Sequence, residues 1–88
     1  MLGELAMQWH QRRRREIDRF QATDDDGQTY TVIEYQWFTT LISDHGPVAT
    51  TAGSKELRLS DGKDVVTMSA VPNTLKIIET DKLIRKVQ

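Results

Sequence analysis

Two short runs hold side chains whose type and spacing could do chemistry: Arg12-Arg13-Arg14-Arg15 and Asp24-Asp25-Asp26-Gly27. Consecutive guanidiniums contact phosphates and release counterions, which gives salt-sensitive binding to nucleic acid without reading sequence. Trp9 adjoins the run, and Trp37 or Tyr35 on a sheet face could stack on exposed bases. The competing account is a solvated charge run ahead of the first strand, where it also discourages edge-to-edge pairing. The candidate interaction surface is therefore Arg12, Arg13, Arg14, Arg15, Tyr35 and Trp37.

The aspartate run invites comparison with a calcium loop, which needs six to eight oxygen ligands. In the helix–loop–helix calcium pattern the glycine is the sixth of twelve positions. Counted from Gly27, the first position falls on Ala22 and the last on Ile33, and neither offers an oxygen side chain. Aspartate and glycine both favour turns, so the run reads as a strand-connecting turn and no metal is expected. Other chemistry is sparse. His10 and His45 stand without partners at ligand or triad spacing, and there is no cysteine nucleophile. Ser43, Ser54, Ser60 and Ser69 lack the glycine-framed elbow of hydrolases. The glycines match neither a P-loop nor a dinucleotide fingerprint. The expectation is a protein that is not an enzyme and takes no cofactor.

The elements that must position these residues are strands. Arg15–Ala22 leads into the acidic turn, and Thr29–Phe38 leaves it, dense in β-branched and aromatic residues. Asp44-His45-Gly46-Pro47 breaks the pattern, and Val48–Ser54 reads as a loop with at most a short edge strand. Leu57 and Leu59 then alternate with polar neighbours up to the turn Ser60-Asp61-Gly62-Lys63. Val65–Met68, Leu75–Thr80 and Leu83–Val87 complete the series, with Pro72-Asn73 and the two-residue connection Asp81-Lys82 between them. Such spacing predicts an all-β fold, a small antiparallel meander or partial barrel of five to six strands. Residues 1–14 are expected as a short helix or flexible tail, because Leu2, Leu5, Ala6 and Trp9 recur at helical spacing. Residues 15–88 form the single β domain.

The strand Thr29–Phe38 is apolar on both faces. Tyr35 and Trp37 share a parity with Ile33, whereas Tyr30 and Phe38 share the other with Val32. One small core cannot take both sets, so one of them needs another cover, and an exposed aromatic face would be a binding surface. Phe20-x-Ala22 before the first acidic turn also echoes Leu57-x-Leu59 before Asp61-Gly62, so the same aspartate–glycine device serves two hairpins.

Phe20-Gln21-Ala22-Thr23-Asp24, then Gly27-x-x-Tyr30-x-Val32-x-Glu34-Tyr35, and later Leu59-Ser60-Asp61-Gly62 resemble a family of short uncharacterised bacterial proteins. Its members share an F-x-A-x-D…G-x-x-Y-x-V-x-E-Y opening and an L-x-D-G turn followed by a final apolar hairpin. The likeness spans about Arg15 to Val87 and implies a compact bacterial domain. It supplies no activity and no catalytic or binding residue. A Thr-Gly turn is usual near the end, where this chain has Thr80-Asp81-Lys82.

Composition sets the outer bounds. Eighty-eight residues with 38% hydrophobic content support one marginal core. No cysteine is present, so disulfides play no part, and no apolar run approaches the roughly 20 residues of a membrane helix. The net charge of −1 gives no basic field over the whole domain. The expected role is a cytoplasmic interaction module that binds a protein or a second copy of itself. The alternative is weak nucleic-acid binding through Arg12 to Arg15, and a small enzyme or ligand carrier ranks third; no membrane partner is expected.

Overall fold

The run of β-branched and aromatic residues that starts at Thr29 does not stop at Phe38 but continues through Thr39, Thr40, Leu41 and Ile42. It forms one long strand that templates its neighbours on both sides. The structure, a computed structural model, describes residues 8–87. Six strands follow in order: β1 (Trp9–Thr23), β2 (Thr29–Ser43), β3 (Gly46–Leu59), β4 (Asp64–Thr67), β5 (Thr74–Ile77) and β6 (Lys82–Lys86). All pairings are antiparallel, and the order β1-β2-β3-β4-β5-β6 closes into a barrel.

The barrel occupies only one end of the molecule. β1, β2 and β3 are 14 or 15 residues long, whereas β4, β5 and β6 span four or five. The surplus length projects as a three-stranded arm, so the molecule measures 65 × 24 × 21 Å. The closing seams are narrow. β1 meets β6 at Ala22 and Thr23, and β3 meets β4 at Leu57 and Arg58. The Val87 amide adds one bond to the Gln21 carbonyl at 2.8 Å.

The core lies inside the barrel. Ala22, Val32, Leu59, Val65, Leu75, Ile77 and Ile84 are buried together, with Phe20, Tyr30 and Leu57 packed against them. Both echoing pairs of the sequence, Phe20/Ala22 and Leu57/Leu59, thus point inward. A bulge at Ile17 makes this arrangement compatible with the arm. It shifts the β1 register between Glu16 and Asp18, so that Phe20 comes opposite Val32 on the inner face.

Three expectations need correction. Residues 9–14, expected as helix or tail, belong to β1, where Trp9 pairs with Ile42 and Arg14 with Trp37. Arginine favours helices in isolation, but the long β2 template overrides that preference. The readings on Leu2, Leu5 and Ala6 lie outside the described residues. Val48–Ser54, read mainly as a loop, is part of β3, with Thr50 opposite Thr40 and Thr51 opposite Thr39. The final connection is the four-residue turn Ile78–Asp81 rather than Asp81-Lys82. Asp81 there has φ 57°, the left-handed region that glycine usually fills.

Candidate functional site

Strand alternation divides the arginine run between the two faces of the arm. Arg14 pairs in register with Trp37 and Arg12 with Thr39, whereas Arg13 pairs with Phe38 and Arg15 with Gln36. Paired residues share a face, so Arg12 and Arg14 join Tyr35 and Trp37, and Arg13 and Arg15 join Phe38. The six candidate residues are therefore not one surface. Four of them come together on one face, and two lie on the other.

On the first face the aromatic rings are already covered. The Arg12 guanidinium lies 4.6 Å from the Trp37 ring centroid, and Arg14 lies 4.2 Å from that of Tyr35. Glu56, opposite Tyr35 on β3, ties this layer together. Its Oε1 accepts from Arg14 Nη1 at 3.1 Å and from the Trp37 indole at 3.0 Å, and its Oε2 accepts from Arg58 Nε at 3.2 Å. Partial burial alone would push the Glu56 carboxyl up. The bonds from Arg14 and Arg58, the Arg58 charge and the Trp37 N–H outweigh it and hold the carboxyl below its usual value. Further toward the barrel, outward-facing Ile33 is only 5% exposed between its partners Arg19 and Arg58. Their aliphatic stems supply the second cover that this strand needed.

The opposite face of the arm is different. Among the described residues Arg13 and Arg15 take part in no ion pair. Together with Phe38, Thr40 and Thr50 they line a shallow groove of about 520 Å³. Lys55 joins this face opposite Gln36. Glu16 and Glu56 lie on the other face and Asp44 in the tip turn. Asp18 and Glu34 share the face of these three cations toward the barrel, but among the described residues neither forms an ion pair with Arg13, Arg15 or Lys55.

The acidic turn is a structural site. Asp24 Oδ1 accepts the backbone N–H groups of Asp26 (2.9 Å) and Gln28 (3.0 Å). Its Oδ2 accepts the Tyr30 hydroxyl at 2.9 Å and Lys82 Nζ at 3.2 Å. Burial pushes this carboxyl up, but the Gln28 amide, Tyr30, Lys82 and the Asp26 amide hold it below its ordinary value. Gly27, at φ 82°, lets the chain reverse, and Asp61 binds the Lys63 amide in the same way before Gly62. Among the described residues no three metal-binding side chains gather. His10 lies in β1 and His45 in the exposed turn at the arm's tip.

Sequence reasoning missed Glu56. Glu56 and Arg58 do alternate with Leu57 and Leu59, but their partners across the sheet stay unknown until Val48–Ser54 is recognised as strand. No protein-family model, no curated protein and no solved structure matches this chain.

Proposed function

We propose that this protein is a non-enzymatic interaction module that docks onto a protein partner, or a second copy of itself, through its projecting arm. The observation that carries this reading is a single-layer sheet open along both sides. β1 pairs with β6 only at its last residues and β3 with β4 only near its end. That leaves β1 free from Trp9 to Phe20 and β3 free from Gly46 to Glu56. A free edge presents unpaired N–H and C=O groups and is a template for an added strand. The non-enzymatic part rests on Asp24 and Glu56, two carboxylates whose oxygens are already occupied by internal donors.

Sequence-independent nucleic-acid binding through Arg12 to Arg15 has less support, because Arg12 and Arg14 already lie on aromatic rings and the other two guanidiniums face away from them. The test compares the full chain with an edge-blocked variant, Thr50→Lys and Ala52→Lys on β3 with Gln11→Pro on β1. The reading expects concentration-dependent self-association, or a partner captured from native extract, that the blocked variant loses. A chain that stays monomeric at high concentration and captures nothing beyond what the blocked variant captures would remove it.

A further inference from the structure

The geometry points to the free edge of β1 as the docking strand for an extended acidic segment of a partner protein, with carboxylates at alternate positions opposite Arg13 and Arg15. This inference rests on the interaction-module reading and names the edge and the chemistry of the partner.

The two edges are not equivalent. The register of β1 against β2 runs without a break from Trp9 to Glu16, whereas β3 slips against β2 between Gln36 and Phe38 and again between Leu41 and Ile42. A regular edge is the better template, because a bulge leaves a residue unpaired and bends the strand. The β1 edge also carries the charge. Arg13 and Arg15 take part in no ion pair among the described residues; Asp18 and Glu34 share their face at its barrel end but form no ion pair with them or with Lys55. Exposed like charges along an edge repel a second copy of the same edge and favour a strand of opposite sign.

Spacing and hydrogen-bond chemistry select a peptide over a polyphosphate. Residues two apart on an added strand sit roughly 6.6 Å apart, the same repeat that separates Arg13 from Arg15. The bare edge offers amide donors and carbonyl acceptors in alternation, and a second peptide strand satisfies both. Phosphate oxygens only accept, so a phosphate backbone laid along the edge would leave the β1 carbonyls unanswered. The groove beside Phe38 leaves room for side chains of the incoming strand on the cationic face.

Titration of the full chain with a fluorescent peptide alternating glutamate with valine or threonine tests this. Binding is expected to weaken about tenfold with Arg13→Gln and Arg15→Gln combined, as two cross-strand charge pairs would imply. It should survive Arg13→Lys with Arg15→Lys, and Arg12→Gln on the opposite face. A peptide methylated on alternate amide nitrogens should not bind, which tests the edge even if an arginine variant fails to fold. The inference is overturned by no peptide binding, by equal binding of the methylated peptide or the glutamine variant, or by oligothymidylate binding more tightly than the peptide. Loss of a partner by the edge-blocked variant in the presence of any of those results would leave the broader reading standing.

Discussion

Glu56 accepts the indole N–H of Trp37 at 3.0 Å beside the β2–β3 bulge, and the same oxygen accepts from Arg14 on the far side of β2. One carboxylate thus links all three strands of the arm, and its side chain is 24% exposed. Removing it leaves the Arg14 guanidinium and the Trp37 indole without their acceptor and takes one of several from Arg58, which keeps the Gly62 carbonyl and Asp64. Glu56→Ala is expected to cost about 1–2 kcal/mol in urea unfolding, and Glu56→Gln less, since the amide oxygen keeps one acceptor. Trp37 emission should shift to the red in Glu56→Ala, with exposed Trp9 as a constant background.

The same carboxylate and Asp24 set the response to acid. Both carboxyls are held below their ordinary values of 4.5 and 3.8 in the folded chain. Their contribution to stability is therefore complete above those values and is lost as pH falls through the lower folded ones. Melting temperature should stay level from neutrality to about pH 5 and then drop steeply below pH 4. Asp24→Asn should lower it by about 5–10 °C at pH 7 and flatten the acid limb. An unchanged limb in Asp24→Asn combined with Glu56→Gln would contradict the assignment.

How far the fold was legible depended on local signals. Alternation at Leu57/Leu59 and Phe20/Ala22, and the glycines of both acidic turns, were visible because their cause is local. Trp9–Arg14 and Val48–Ser54 were not, because polar arginines and small Thr/Ala residues become strand only by lying against β2. The two apolar faces of Thr29–Phe38 were readable as a problem. Its solution was not, because the covering arginines and Glu56 come from strands whose pairing is set by tertiary register. The acid run could be read as a turn, yet its bond to Lys82, 58 residues away, leaves no trace in local sequence.

That bond makes an alkaline prediction. Lys82 is held above its ordinary 10.5 by its bond to Asp24 and by the Asp24 charge, and Tyr30 is held above its ordinary 10.0 by its own bond to Asp24. Raised values contribute stability that is complete below the ordinary ones and lost as pH rises through the folded ones. Melting temperature should hold to about pH 10 and then fall. Lys82→Met should remove part of that limb and, because it loosens β6 from the β1–β2 turn, speed amide exchange at Val87 more than in β2. Equal acceleration throughout would mean that the seam is not the weak point.

Neighbouring residues of β6 give a test of register. Ile84 is fully buried and pairs with Leu75, whereas Leu83 is 49% exposed and pairs with Lys76. Adjacent strand residues face opposite sides, so a slip of one residue would exchange their roles. Ile84→Ala should cost about 2–5 kcal/mol, the range for a buried isoleucine truncated in a core that cannot collapse around the gap. In a domain of this size that approaches the whole stability, and the variant should be largely unfolded at 37 °C or rescued only by a stabilising osmolyte. Leu83→Ala should change stability by about 0.5 kcal/mol or less. Urea unfolding of both variants decides the matter: comparable losses, or the larger loss at Leu83, would place the inner face of β6 one residue away from Ile84.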